Sequence, residues 1–153
     1  MIQRIQTLYL LLVAALMITL IWMPLATLNA PDASYRFMSY GLVTMGGAES
    51  IAVSTVSLSC LAGLSGVLAF LSVFFYKQRP LQIRCCQLNF LLILAFYLVF
   101  FVCWWSIQRD LDAQNISLGA ALTLPLAAIV LDYIAMKKIK QDDDLVKSMD
   151  RIR

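Results

Sequence analysis

Long apolar stretches alternate with short polar segments along the whole chain. Four stretches are apolar and long enough to be membrane spans, and they cover residues 5–28, 51–76, 88–107 and 117–136. Because an α-helix rises 1.5 Å per residue, about 20 apolar residues cross a hydrocarbon core that is about 30 Å thick. The pattern predicts an all-α membrane protein with four transmembrane helices, forming a single integral membrane domain over residues 1–153.

The first apolar stretch also has the order of a signal peptide, with a charged start and an apolar middle. Its apolar run exceeds the roughly 7–15 residues of a signal-peptide core. Leu28 would stand three residues before the cleaved bond that follows Ala30, where cleavage requires a small side chain. We therefore expect a retained helix.

The connecting segments predict how the spans are arranged. Residues 77–87 and 108–116 are short connections, so consecutive spans should be antiparallel neighbours in an up-down-up-down four-helix bundle. The longer segment before the second span contains the strand-favouring residues Tyr35, Phe37 and Val43. It predicts either a short hairpin on the membrane surface or an irregular loop with interfacial aromatic residues.

Basic residues are concentrated on one side of the predicted bundle. Of the 12 Lys and Arg residues, only Arg36 and Arg109 fall on the side opposite the termini, and the other ten lie in the termini or in residues 77–87. Cytoplasmic segments of membrane proteins carry an excess of Lys and Arg. We therefore expect a multi-pass protein of the bacterial inner membrane with both termini in the cytoplasm.

The composition excludes several classes of function. At 61% hydrophobic and 14% charged residues, with a mean hydropathy of +0.81, the chain is more apolar than soluble domains. A net charge of +3 without a basic face indicates no nucleic-acid partner. The chain has no histidine, which is the usual general base near neutral pH and the commonest metal ligand, and its single glutamate, Glu49, excludes a di-metal carboxylate bundle. We expect no catalytic, metal or cofactor site, and no enzyme activity.

Four cysteines occur at spacings that match no zinc site, and they are Cys60, Cys85, Cys86 and Cys103. A disulfide-forming membrane oxidoreductase would need cysteine pairs on the outside of the membrane. The adjacent Cys85 and Cys86 are instead predicted to face the reducing cytoplasm. An oxidoreductase is therefore the least favoured of the hypotheses.

The second span contains small residues at helical spacing, and these are Ser59, Ala62, Gly63 and Gly66. Small residues four positions apart let neighbouring helix backbones approach closely, and packing of this kind holds helices together in lipid. We interpret these positions as a helix-packing surface. The alternative interpretation is a polar pathway formed by the hydroxyl groups of the same span.

Asp132 is the only carboxylate well inside a predicted span, and an ionisable residue there is a candidate functional acid. Its position relative to Lys137 places it about 7–8 Å from the inner boundary of the membrane. At that depth the carboxylate could reach interfacial water or a lysine of the next turn. We expect an interfacial structural carboxylate, with a functional acid as the alternative. Pro125 lies in the middle of the same span and is expected to kink it.

The segment after the last span predicts a short amphipathic helix. Its apolar residues share one face, and they are Leu145, Val146, Met149 and Ile152. Three aspartates at residues 142–144 and two arginines near the C-terminus would complement the dipole of such a helix. The helix is expected either to lie on the inner headgroups or to contact a membrane or cytoplasmic protein partner.

Both ends of the chain resemble those of a known family. The resemblance is carried by residues 1–12, MIQRIQTLYLLL, by the step Leu124-Pro125, and by residues 144–153, DLVKSMDRIR. The family consists of uncharacterised four-helix inner-membrane proteins of Bacteroidetes-type bacteria. The resemblance covers essentially the whole chain and implies a location and a fold, but no catalytic or binding residues. The family pattern has an apolar residue where Asp132 stands, which argues against a family-wide role for that acid.

Besides the oxidoreductase, two hypotheses of function remain. The first is a non-enzymatic structural or accessory subunit of a membrane complex, and it is favoured by the packing surface and the amphipathic tail. The alternative is a small transporter or channel acting as a homo-oligomer. Asp132, the hydroxyl groups of the second span and the Pro125 break suggest this alternative, because interrupted helices line the substrate sites of many transporters.

Overall fold

The computed structural model describes residues 2–29, 34–44, 50–51, 55–111 and 115–150. Within these ranges the main elements are four α-helices, α1 (Ile2–Trp22), α2 (Val56–Phe74), α3 (Arg79–Leu111) and α4 (Thr123–Asp150). Two short 3-10 helices, Phe75–Lys77 and Ala120–Leu122, precede α3 and α4. All four α-helices are long and apolar enough to cross a membrane. This confirms the prediction of a mostly helical protein with four helices that can cross a membrane.

Each α-helix packs against two others. Helix α1 contacts α2 and α4, and helix α3 contacts the same two helices. The core between them contains fully buried apolar side chains from all sides, among them Met17 and Leu20 of α1, Leu58 of α2 and Ile93 of α3. The helices therefore enclose a large apolar core and a second, smaller buried cluster.

The connecting segments at one end of the helices form an antiparallel sheet. Its strands are β1 (Ala26–Asn29), β2 (Ser34–Phe37), β3 (Leu42–Thr44), β4 (Ser50–Ile51) and β5 (Asn115–Leu118), in the order β4-β3-β2-β1-β5. Ala26 of β1 pairs with Phe37 of β2 on one side and with Leu118 of β5 on the other. Of the two alternatives for the first connection, the hairpin is the one found. The sequence pattern did not indicate that β5 joins it.

One face of the sheet is packed on the end of the bundle. Leu28 of β1, Phe37 of β2 and Leu42 of β3 are fully buried, as expected for strands whose alternate residues point to the same side. The ring of Phe37 contacts the ring of Phe100 in α3, with centroids 5.7 Å apart. The sheet and the bundle therefore share a single hydrophobic core.

The first three predicted spans have different bounds in the structure. Helix α1 ends at Trp22 rather than at residue 28, because the residues after Pro24 pair as β1. Helix α2 begins at Val56 rather than at residue 51, because Ser50–Ile51 forms β4. Helix α3 begins at Arg79 rather than at residue 88, so most of the predicted basic loop is helical. Pro80 then lies in the first turn, where its missing N–H costs nothing.

The last predicted span also differs. Helix α4 begins at Thr123 rather than at residue 117, because residues 115–118 form β5. Pro125 consequently lies in the first turn of α4, so the predicted mid-span kink is wrong. Helix α4 then continues to Asp150 without a break. The prediction of a separate short C-terminal helix is therefore wrong, and residues 142–144 lie within a helix instead of beginning one.

Gly119 allows the start of α4 to approach the link between α1 and β1. Its backbone N–H donates a hydrogen bond to the carbonyl oxygen of Leu25, over 2.8 Å. A Cβ atom at Gly119 would overlap the carbonyl oxygen of Pro24 and lie 2.8 Å from that of Leu25. These are backbone atoms of the segment that enters β1, so they cannot move aside as a flexible side chain would.

We predict that Gly119→Ala lowers the free energy of unfolding in detergent by about 1–3 kcal/mol, the usual cost of forcing extra atoms into a packed site. Gly63→Ala is the matched control, because its Cβ would meet only the Cδ1 atom of Ile21, at 3.9 Å. Thermal unfolding followed by circular dichroism compares the two variants. Equal melting temperatures would contradict the close packing at Gly119.

Candidate functional site

Polar residues lie on the buried faces of all four α-helices. In α3 the buried positions recur every three or four residues, and they include Cys86, Asn89, Ile93, Phe96 and Phe100. In α4 the buried positions Ala128, Asp132 and Ala135 follow the same rule. This spacing defines one face of a helix. The polar residues on these faces therefore point into the bundle, as the buried apolar residues do.

Ser65 of α2 and Asn89 of α3 form a hydrogen bond inside the bundle. The Ser65 hydroxyl donates to Asn89 Oδ1 over 2.6 Å, and both residues are buried. Ser65 is the central residue of α2, about 13 Å from either end of that helix. Asn89 therefore lies deep in the bundle, although it is only the second residue of the predicted span 88–107.

Asp132 lies beside this pair. Its side chain is 1% exposed, and its carboxyl group lies close to the side chains of Cys86 and Asn89 in α3. Among the described residues, Asp132 Oδ1 and Asn89 Nδ2 have no hydrogen-bond partner. We call Ser65, Cys86, Asn89 and Asp132 the polar cluster.

The expected role of Asp132 as an interfacial anchor is wrong. Its side chain is directed into the bundle with Ala128 and Ala135, whereas Lys137 is exposed on a different face of α4. Within the described ranges Asp132 makes no ion pair. The error has a physical reason, because the prediction considered only distance along the helix and not the direction of the side chain around it.

The polar cluster can do two things chemically. Its hydrogen bond links α2 to α3, and interhelical bonds of this kind contribute about 0.6 kcal/mol each in membrane proteins. Its carboxyl group can also hold or release a proton, since an acid within a membrane span is a common element of proton pathways. Within the described part of the chain, no three His, Cys, Asp or Glu residues lie close enough together to hold a metal ion.

The predicted packing residues of α2 lie mainly against α1. Gly66 is buried, and a Cβ there would lie 3.0 Å from Ile18 Cγ1 and 3.5 Å from the carbonyl oxygen of Ala14. Ala62 is fully buried in the core. Ser59 is different, because its hydroxyl donates to Ser39 Oγ over 3.2 Å in the connection between β2 and β3. Ser59 thus links α2 to the sheet.

The extension of α4 beyond residue 136 is held against α3. Arg79 Nη2 lies 3.0 Å from Asp142 Oδ2, and Arg79 Nη1 donates to the carbonyl oxygen of Asp142 over 2.6 Å. Leu145 and Val146 are exposed beyond this contact. The side chain of Met149 and all of Ile152 lie outside the described residues. The structure therefore brings together only part of the predicted apolar face of the tail.

All four cysteines are free thiols. Cys60 is exposed, Cys85 and Cys103 are half-buried, and Cys86 is buried. The sequence predicted that Cys85 and Cys86 both face the cytoplasm, and it did not indicate that Cys86 lies beside Asp132. The spacing of Cys86, Asn89 and Ile93 could have predicted the burial of Cys86, because residues three or four positions apart lie on the same face of a helix.

Comparison with known proteins identifies the family but not an activity. No curated protein matches the chain. A family model described as "Domain of unknown function (DUF4293)" matches residues 2–152. This match covers nearly the whole chain and confirms the family resemblance seen at its two ends. The chain belongs to the DUF4293 family, whose function is unknown.

Proposed function

We propose that the protein is a non-enzymatic accessory subunit of a complex in the bacterial inner membrane. In this proposal the four α-helices cross the membrane as an up-down-up-down bundle, both termini are cytoplasmic, and the sheet lies on the opposite side. The partners are the lipid bilayer and a membrane or cytoplasmic protein, and not nucleic acid. The four apolar helices support the membrane assignment.

Support for the up-and-down arrangement comes from the sheet. The C-terminal ends of α1 and α3 and the N-terminal ends of α2 and α4 all lead into its strands. This connectivity supports opposite directions for consecutive helices. Support for the orientation comes from charge, because within the described ranges only two basic residues, Arg36 and Arg109, lie near the sheet, and the other eight lie towards the opposite end. An excess of basic residues marks the cytoplasmic side.

One observation carries the accessory role, and it is the apolar packing between the polar cluster and the sheet. Large, almost fully buried side chains fill this part of the bundle, and they include Leu20, Leu25, Phe37, Leu58, Phe96 and Phe100. Protein interiors packed in this way contain few voids larger than a water molecule. A solute path along the bundle axis would require these side chains to separate. A packed interior favours a structural role over transport.

The extension of α4 supplies the surface that we assign to a protein partner. The ion pair between Arg79 and Asp142 fixes this extension as a helix that continues α4. Leu145 is exposed and lines a cavity of about 170 Å³ between the start of α1 and α4, together with Ile5 and Gln6. Preorganised apolar side chains next to a cavity are typical of protein contact sites. We call Ile5, Leu145 and Val146 the tail surface.

We predict that replacing Leu145 and Val146 with serine weakens the interaction with the partner at least tenfold, a change of about 1.4 kcal/mol, because it removes two apolar contacts. The measurement is crosslinking in intact cells followed by quantitative mass spectrometry of the purified chain. Met23→Ser with Tyr40→Ser is the matched control, since these exposed apolar residues lie at the sheet end. A set of crosslinked proteins that is identical for all variants would contradict the tail surface.

A second candidate function is favoured by the burial of Asp132. A buried carboxyl oxygen without a hydrogen-bond partner among the described residues is costly in a membrane. Such a group is retained in many proton-translocating proteins. In this candidate the chain acts as a homo-oligomer that carries protons or a small solute, and Asp132 is the group that exchanges the proton.

The two candidates predict different behaviour in proteoliposomes. If Asp132 carries protons, wild-type protein dissipates an imposed pH gradient, Asp132→Asn does not, and the exposed-site control Ser57→Ala behaves like wild type. The accessory role predicts that all three proteins leave the gradient as stable as in empty liposomes. A pH-sensitive dye inside the liposomes measures the difference. Dissipation that depends on Asp132 would overturn the accessory role.

A further inference from the structure

A groove with basic walls lies between α3 and α4 at the end of the bundle away from the sheet. Its volume is about 610 Å³, and its lining includes Pro80 and Arg84 from α3 and Tyr133, Lys137 and Lys140 from α4. The lining positions in each helix are three or four residues apart, so each helix contributes one continuous face. The groove is thus formed by two adjacent helix faces and not by a loop.

Three cations in this groove are available to a ligand. Arg84, Lys137 and Lys140 are exposed, and within the described ranges none of them forms an ion pair. Arg79 is close by in sequence but is already bonded to Asp142. The two carboxylates of the groove, Asp143 and Asp144, lie about one turn beyond Lys140. A band of positive charge therefore separates them from the apolar part of the bundle.

Apolar residues continue both helix faces from this band towards the sheet. On α4 they are Leu126, Val130 and Tyr133, all exposed, and they precede Lys137 at helical spacing. On α3 they are Leu91, Leu94 and Leu98, also exposed, and they follow Arg84 at helical spacing. We call these two sets the apolar stripes. Each stripe begins at the cations, and the two helices that carry the stripes pack against each other.

The length of the apolar stripe on α4 matches one leaflet of a bilayer. From Lys137 to Leu126 the helix rises about 16 Å, and half of a hydrocarbon core is about 15 Å thick. An anionic headgroup held at Arg84 and Lys137 would therefore place acyl chains along the apolar stripes over their full depth. Free phosphate would use only the cations and would leave the stripes without a role.

We propose that this groove binds an anionic phospholipid, with its phosphate between Arg84, Lys137 and Lys140 and its acyl chains along the two apolar stripes. Basic pockets between transmembrane helices on the cytoplasmic side are sites of this chemical kind. The inference rests on the membrane embedding and orientation given under Proposed function. It adds a specific lipid ligand, for which charge and shape are both complementary.

The test uses the full-length protein in nanodiscs that contain equal parts of phosphatidylglycerol and phosphatidylcholine. Lipids that remain bound after release into detergent are counted by native mass spectrometry. The expected result is that wild-type protein retains phosphatidylglycerol in preference to phosphatidylcholine. In the variant Arg84→Gln with Lys137→Gln, that preference should fall about thirtyfold, the factor that corresponds to about 2 kcal/mol for two basic residues.

A matched control removes the same charge at other places on the same helices. Arg109→Gln lies at the opposite end of α3, and Lys138→Gln lies next to Lys137 but lines the cavity that faces α1. This double variant should keep the wild-type preference. An equal loss in the control, or no preference in the wild type, would overturn the site. All substituted residues are exposed, and circular dichroism in detergent verifies that each variant is folded.

Further outcomes distinguish a phospholipid from free phosphate as the ligand, and failure of the lipid site from failure of the membrane assignment. Inorganic phosphate in the release buffer should leave the bound phosphatidylglycerol in place, and its displacement at millimolar concentration would overturn the contribution of the acyl chains. Failure of the wild-type protein to enter nanodiscs would contradict the membrane assignment itself. Normal insertion without a preference for phosphatidylglycerol would contradict only the lipid site.

Discussion

The pairing of β1 with both β2 and β5 is the constraint on which the arrangement of the helices depends. Ala26 of β1 pairs with Phe37 and with Leu118, so two connections that are distant in the sequence become one sheet. Backbone groups that are shielded from water are costly when they are not hydrogen-bonded, and the sheet satisfies those of its paired strands. It also gathers four helix ends and covers the core. The close contact at Gly119 follows from this pairing.

Burial of the polar cluster is a consequence of the same arrangement. Once α2, α3 and α4 are fixed at the sheet, Ser65, Asn89 and Asp132 lie at similar depth and on facing sides. The packed apolar section between the polar cluster and the sheet separates this acid from the sheet end of the bundle. Towards the other end, the surface of the bundle changes to exposed cations at Lys137 and Lys140. The functions proposed for the protein follow from this division into a packed half and a charged half.

Features that depend on composition alone could be predicted from the sequence. Features that depend on where a helix ends or on which way a side chain points could not. The number of apolar helices follows from apolar length, since lipid accepts only long apolar segments. The ends of the helices could not be predicted from apolar length, because a hydropathy pattern assigns some of the residues of β1, β4 and β5 to the spans. The position of Asp132 was predicted wrongly because its depth was considered without the face of the helix on which it lies. The continuation of α4 was missed because a change from apolar to polar residues does not end a helix.

Membrane topology is the central claim, and cysteine labelling tests it most directly. In a variant whose native cysteines are replaced by alanine, Tyr40→Cys places a thiol at the sheet and Asp144→Cys places one on the extension of α4; both native residues are exposed. A maleimide that cannot cross the membrane is added to intact cells with a permeable outer layer. The account predicts labelling of Tyr40→Cys, and labelling of Asp144→Cys only after the inner membrane is opened. Labelling of Asp144→Cys in intact cells would contradict it.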